Sequence, residues 1–225
     1  MWVVSWMNKA IANQPWAALL LVFGSGVAMG LTTAPTNWWI LAWVAQVPLW
    51  VLVYGDQQSR QREQGRQTDQ SKIQNPKSKI QNSVHPILAA VLWSIGYYGT
   101  TLSWITGLHP LTWMGIPWVA SVAIASTCWL LIVLWGCVWG GFWAMGLSMV
   151  SQRWLPMSQT FGFARVLVGT ALWCGLDTLW NHGILYWPTF ALTQSPHNLW
   201  LLQLNQLSGP MTTTAVIVAV NGLIA

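Results

Sequence analysis

Residues 165–194 read RVLVGTALWCGLDTLWNHGILYWPTFALTQ, an apolar run with one carboxylate, Asp177, near its middle. An ionised carboxylate at the centre of a bilayer costs about 3 kcal/mol on insertion scales, so such a residue faces a bundle interior or a water-filled cavity and marks a functional region. Asn181-His182-Gly183 then breaks the helical pattern. Tyr186-Trp187-Pro188 follows, the amphipathic aromatic kind of sequence found where a helix leaves the membrane. The stretch predicts a transmembrane helix that delivers an irregular loop to one membrane face, with the upstream chain as its scaffold.

Composition points the same way. Of 225 residues, 54% are hydrophobic, 6% are charged and 20 are tryptophan. A soluble domain carries about 25% charged residues, so this chain cannot build a water-facing surface. Six of the nine Lys/Arg and three of the four acids lie between Asp56 and Lys79, leaving Lys9, Arg153, Arg165 and Asp177 elsewhere. The net charge of +5 is therefore a matter of topology, because clustered Lys/Arg mark cytoplasmic loops. Nucleic acid is excluded as a partner, since the basic residues are diluted by Gln, Ser and Asn instead of being interleaved with aromatics. The class is all-α, a polytopic membrane helix bundle of about six transmembrane helices with one disordered polar loop.

Outward from the central stretch, the chain divides into residues 1–54, 55–84 and 85–225. Within the first part, Met1–Gln14 alternates apolar and polar residues at a spacing that suits a short helix lying in the interface. A span from Trp16 to about Pro35 follows, containing Gly26-Val-Ala-Met-Gly30, a spacing that lets helices approach closely. Asn37–Tyr54 is the second span, with Trp38 and Trp39 as interfacial anchors and Pro48 as a kink. Residues 55–84 hold the tandem SKIQNPK–SKIQNS; two copies with Pro76 inside make no coiled coil, and the composition predicts a disordered cytoplasmic loop.

In the third part, His85–Leu108 is the next span, and His109-Pro110 is a turn on the outer face. Ile116–Val150 is a continuous apolar segment of 35 residues. As one helix it measures about 52 Å, longer than the roughly 30 Å hydrocarbon core, yet it is too short for two helices and a turn. It reads as one long tilted helix, carrying a second small-x3-small pair in Gly136 and Gly140. Arg153 and Arg165 bracket a cytoplasmic loop, Val166–Asn181 exits outward, and residues 188–205 form an outer-face loop. A sixth span begins near Leu207 and runs to the last residue, where the apolar run reads as cut off. The N-terminus falls in the cytoplasm.

Neither metal nor cofactor chemistry is indicated. Cys128, Cys137 and Cys174 sit in apolar runs as small buried hydrophobes, and His85, His109, His182 and His197 share no metal-ligand spacing.

Several motifs, taken in order, are similar to the apolipoprotein N-acyltransferase family. GVAMGLTTAPTNWWILAWVAQVPL (residues 26–49) resembles its Gly-rich helix, Pro-aromatic turn and "LAW…PL" helix, and Leu102-Ser103-Trp104-Ile105 resembles its Trp-containing helix exit. Arg165…Ala171-Leu172-Trp173…Asp177 resembles R…ALW…E, with Asp for the usual Glu. Pro188 falls eleven residues after the acid, Thr193-Gln194 resembles [ST]Q, Leu207-Ser208-Gly209 resembles L-x-G, and Val220-Asn221-Gly222-Leu223 resembles VN-x-L. The sequence departs from the family at Trp180-Asn181, in place of Arg-Gly, and at Thr189, in place of Trp.

The resemblance implies a bacterial inner-membrane, multi-pass acyltransferase. It moves an acyl chain from phospholipid to the N-terminal diacylglyceryl-cysteine of lipoproteins, through a thioester on a Glu-Lys-Cys triad in a nitrilase-like domain. No catalytic residue of that triad is found among these 225, so the chain alone is predicted inactive. Two roles stay open for Asp177: a packing lock bonded to Arg165 or an indole N–H, or part of a polar mouth for lipid head groups with Trp187, Pro188, Thr193 and Gln194. The alternative for the whole chain is a non-catalytic integral membrane lipid-binding or assembly protein.

Overall fold

The computed structural model describes residues 15–54, 84–154, 162–183 and 189–225. The interfacial N-terminal helix and nearly all of the polar loop expected above lie outside the described residues, as do Trp187 and Pro188. Every regular element described is helical, in agreement with the all-α expectation.

The first helix, α1 (Pro15–Gly30), packs along the third, α3 (Pro86–Thr101). Two glycines make that contact backbone to backbone. A Cβ on Gly26 would overlap the Trp93 carbonyl, and one on Gly96 would stand 2.5 Å from the Phe23 carbonyl oxygen. The small-x3-small spacing read from the sequence is thus a groove for a neighbouring helix. Across the other side of α3 runs α4 (Trp118–Trp154), 37 residues and about 55 Å long. Its own pair repeats the device: Gly136 receives the Tyr98 ring and Gly140 receives Ser94 Oγ. The long single helix expected for this segment is present.

The second span differs from its expectation. Instead of a kinked helix over 37–54, the chain forms a 3-10 turn, Trp39–Trp43, then an irregular turn, then a short helix α2 over residues 47–54. Pro48 is the second residue of α2. Its missing N–H therefore falls in the first turn, where no intrahelical bond is lost, and the proline starts a helix here instead of bending one.

The break frees buried backbone groups, and side chains from distant segments take them up. Asn221 Nδ2 donates to the Ala42 carbonyl at 2.9 Å, and Asn221 Oδ1 accepts from Gln46 N at 2.9 Å. Trp93 Nε1 donates to the Ala45 carbonyl at 3.1 Å, and Gln194 Nε2 to the Trp39 carbonyl at 3.4 Å.

Helix α5 (Gly162–Asn181) packs against α4 and against the last helix, α8 (Pro210–Ile224). Between them the chain makes a 3-10 turn, Phe190–Gln194, and two single-turn helices, α6 (Leu199–Leu202) and α7 (Asn205–Ser208). The last helix starts at Pro210, three residues later than Leu207. Gly209 adopts φ 73°, which turns the 199–208 segment by 118° from α8, and Pro210 occupies the first turn.

One continuous helix, Trp118–Arg153, is long and apolar enough to cross a membrane; the bent pair 199–208 and 210–224 passes the same test when taken together. The six-span count is therefore not reproduced by the described helices. The reasons are local: α1, α3 and α8 are 16, 16 and 15 residues long, the 39–54 span is broken, and α5 carries Arg165, Asp177 and Asn181. On α4, Val119, Leu131, Leu134, Trp135, Phe142 and Met149 face outward, exposed. An exposed apolar surface of this extent is of the kind that meets hydrocarbon or another protein.

Candidate functional site

Helix α5 carries Trp173, Asp177 and Trp180 at i, i+4 and i+7, so the three share one face. One turn before Trp173 stands Gly169, without a side chain, and the Trp50 indole occupies the space its Cβ would fill. Trp143 of α4 closes in from the other side, with Nε1 donating to the Gly169 carbonyl at 2.8 Å. Trp50 and Trp143 meet edge to face at 5.0 Å between ring centroids. This buried aromatic floor fixes how α5 sits against α4, and so where Asp177 points.

Above the floor the rings continue. Trp173 lies 5.4 Å from Trp143 and 4.9 Å from Phe190, and Tyr97 meets Phe190 edge to face at 5.4 Å. Tyr97 and Tyr98 are 4.8 Å apart, Tyr98 and Trp180 are 5.5 Å apart, and Trp180 stacks on Trp139 at 5.1 Å. Together with Gly140 and Leu176 these residues line a narrow cleft, partly open to the outside, with room for little more than a water-sized guest, and Asp177 is in its wall.

Three polar atoms of the wall, each shielded from solvent, have no hydrogen-bond partner: Asp177 Oδ2, the Tyr97 hydroxyl and Trp139 Nε1. Buried polar atoms are nearly always paired in folded proteins, so three in one cleft call for an explanation. Arg165 does not supply it for Asp177. It stands twelve residues earlier on the same helix, about 18 Å along the axis, beyond the reach of both side chains. Asn181 Nδ2 donates at 3.0 Å to the backbone carbonyl of residue 177, not to its carboxylate, and His182 Nδ1 donates to the Thr178 carbonyl at 2.7 Å.

Thr193 and Gln194 do not line the cleft. Both are fully buried beneath Phe190. Thr193 Oγ1 donates to the Phe190 carbonyl at 2.6 Å, Gln194 Nε2 bonds Thr193 Oγ1 at 3.1 Å, and Asn198 Nδ2 donates to Gln194 Oε1 at 3.0 Å. They hold the 3-10 turn that seats Phe190 and brace it on Trp39. Asp177 is the sequence-singled residue that faces the cleft; its aromatic neighbours were missed. For Trp173 and Trp180 the spacing around Asp177 was the available signal.

The cleft walls offer no thiol. Cys137 Sγ faces the Val91 carbonyl and Cys174 Sγ the Met211 carbonyl, each at 3.8 Å, while Cys128 is exposed. Among the described residues, no three His, Cys, Asp or Glu side chains come together as a metal site would require. The arrangement can bind and orient.

The fold and this cleft define an all-α bundle built around one membrane-length apolar helix, with a single carboxylate held among aromatic rings. Residues 78–223 match the family model of the apolipoprotein N-acyltransferase N-terminal domain, and the chain belongs to that family. It is 43% identical over 200 residues to an apolipoprotein N-acyltransferase of Nostoc sp. and 42% identical over 200 residues to one of Synechocystis sp.; each alignment covers 88% of this chain, and 34% and 36% of those relatives respectively. With the Gloeobacter violaceus enzyme of the same name it shares 34% identity over 219 residues, 97% of this chain and 36% of that protein. The chain thus spans about a third of the length of the curated relatives it matches.

Proposed function

We propose that this chain forms the membrane-embedded part of an apolipoprotein N-acyltransferase, the enzyme that passes an acyl chain from phospholipid to the amino group of a lipoprotein's diacylglyceryl-cysteine. The observation that carries the reading is the match over residues 78–223, within which Arg165, Trp173 and Asp177 lie on the helix that walls the cleft. In this reading the bundle brings two lipid substrates to the outer face, while the Glu-Lys-Cys chemistry implied by the resemblance belongs to a nitrilase-like domain. The polar mouth is made by Asp177 together with Trp187 and Pro188, and Thr193 and Gln194 hold the loop that shapes it.

The purified 225-residue protein, placed in phospholipid vesicles with a diacylglyceryl-cysteinyl peptide, should transfer no acyl chain above the vesicle blank, as judged by mass spectrometry of the peptide. Measurable transfer would overturn the division of labour between bundle and catalytic domain.

The reading also requires an inner-membrane, multi-pass arrangement: about six crossings, a cytoplasmic N-terminus, residues 55–84 as a cytoplasmic loop and residues 188–205 outside. Three features support it. The basic residues cluster in one loop, the outward surface of α4 is apolar, and side chains satisfy the backbone of the broken 39–54 segment. Alkaline phosphatase should be active when fused within 188–205 and inactive when fused within 55–84, with a cytoplasmic fluorescent reporter giving the reverse. Both fusions reporting the same side would refute the arrangement.

A further inference from the structure

We infer that the arm between α3 and α4, residues 103–118, is an anchor that lies in the lipid head-group layer of the outer leaflet. The inference rests on the membrane arrangement proposed above and goes beyond it, because a bundle can cross a bilayer with such an arm standing clear of the surface. Its physical basis is a set of large apolar side chains that the fold holds outward. Trp104, Trp113, Met114 and Trp118 are all more than half exposed, Trp113 the most at 79%. They ride on two 3-10 turns, Ser103–Leu108 and Thr112–Met114, and on the first residue of α4.

The arm is strapped in place and cannot fold these side chains away. Ser121 Oγ, fully buried on α4, accepts from Leu111 N at 2.7 Å and shares a hydrogen bond with His109 Nδ1 at 2.8 Å. The His109 ring meets Trp118 edge to face at 5.0 Å, and Leu102 and Ile105 are buried beneath the first turn. The strapping holds the arm against a projecting end of α4. Gly136 stands opposite Tyr98 and Gly140 opposite Ser94, so the two helices run antiparallel and α3 ends level with about residue 130 of α4. The end of α5 is no further out, since its Trp180 meets Trp135 and Trp139. Residues 118–129, about 18 Å of helix, therefore extend past both neighbours with the arm beside them.

The chemistry of the arm selects its surroundings. Bulk water is a poor fit, because a rigid cluster of exposed aromatic side chains marks a contact surface. Hydrocarbon is also a poor fit: irregular backbone facing lipid does not occur at that depth, and Ser103 and Thr112 add exposed hydroxyls. Between the two lies the head-group layer, where an indole turns its ring toward the chains and its N–H toward water. Charge argues against a protein partner. No Asp, Glu, Lys or Arg occurs between Lys79 and Arg153, whereas protein interfaces fix register and orientation with complementary charges. The arm is also continuous with the apolar outward surface of α4, which runs on through Val119, Ile124, Leu131 and Leu134.

The test uses the purified 225-residue chain in phosphatidylglycerol–phosphatidylethanolamine vesicles, with a nitroxide attached at Met114→Cys and the exposed thiol removed by Cys128→Ala. Collisions of the nitroxide with oxygen, which concentrates in lipid, and with a water-soluble nickel chelate report its depth. Position 114 should meet oxygen more often than the chelate, at a depth between a head-group-labelled lipid and a nitroxide at Leu134→Cys, which should read hydrocarbon. Thr112→Cys serves if Met114→Cys does not fold. Replacing Trp104, Trp113 and Trp118 together by Gln should reverse the preference at position 114 and leave position 134 unchanged, the sign of an intact bundle. Trp113→Gln alone, with a smaller shift, serves if the triple variant does not insert. A position 114 open to the chelate overturns the inference, and so does one shielded from both reagents, which would mean that a second copy of the chain covers the arm. A preference for oxygen that survives loss of all three indoles overturns it too. A wet position 114 beside a dry position 134 strikes the anchor alone, whereas a wet position 134 strikes the membrane arrangement and the anchor with it.

Discussion

Gly26→Ala should cost the protein about 3 kcal/mol of stability, whereas Gly24→Ala, two residues earlier on the same helix, should cost nothing. The added atom is identical in the two variants. At Gly26 a Cβ would overlap the Trp93 carbonyl and crowd Tyr97 N, both backbone atoms of α3; at Gly24 nothing stands within 4 Å. Backbone atoms cannot rotate away as a side-chain tip can, so the Gly26 variant must push α1 and α3 apart along their contact. That separation would also loosen Gly30 against Thr100 and Gly96 against Phe23. Gly24→Ala has the opposite bias, because alanine favours helix by about 1 kcal/mol over glycine. Unfolding midpoints in a mild detergent series, taken on both variants and the parent, decide the matter. Equal midpoints for the two would mean that α1 does not pack on α3 through this face.

Asn221→Leu is the second large effect, about 2–4 kcal/mol. The two side chains have the same heavy-atom count and branching, so the substitution removes the hydrogen bonds, and the bulkier methyl groups of leucine add some overpacking. Asn221 is fully buried and its amide serves three backbone groups: Gln46 N and the Ala42 and Ile217 carbonyls, each at 2.9 Å. The Ile217 carbonyl lies within α8 itself, so its loss is minor. Gln46 N and the Ala42 carbonyl sit at the break in the 39–54 segment and have no helical partner to fall back on. Interhelical side-chain bonds in membranes average only about 0.6 kcal/mol, because the separated helices find other partners. A backbone group stranded at a helix break has no such alternative, and its full desolvation penalty of about 1–3 kcal/mol applies. Leu223→Ala, at a 60% exposed position on the same helix, is the control and should change little. Matching midpoints for the two variants would remove Asn221 from the bonding scheme.

Both predictions start from residues that were visible in the sequence, and they mark how far a sequence could be read. Gly26, Gly136 and Gly140 carry spacings that announce close helix contact, though not the partner, because nothing in a glycine names the helix that will fill its groove. The length of α4 was legible from an uncharged apolar run whose one proline, Pro117, stands at its start. The break after Trp43 was not. Its residues are as apolar as those of a continuous helix, and the groups that make the break tolerable, Asn221, Trp93 and Gln194, lie between about 50 and 180 residues further along. Pro48 suggested a kink because its position relative to the helix start was unknown.

The cleft was legible in part. Asp177 stood out by its charge; the spacing of Trp173 and Trp180 around it was a signal that went unread. Tyr97, Trp139 and Phe190 come from three other elements, and only the packing of those elements brings them together. Thr193 and Gln194 carried a motif, and their side chains bond within and across the turn that seats Phe190.

The stitching of residues 39–54 by later segments has a consequence for how the protein is made. A ribosome synthesising this chain delivers the Ala42 carbonyl and Gln46 N to the membrane 175 or more residues before Asn221 exists to meet them. Until α8 forms, local water or a chaperone has to shelter an early segment with unmet backbone groups. Helix α8 therefore acts as a clasp on the 39–54 segment, and its arrival, not the formation of the first helices, locks that segment in place.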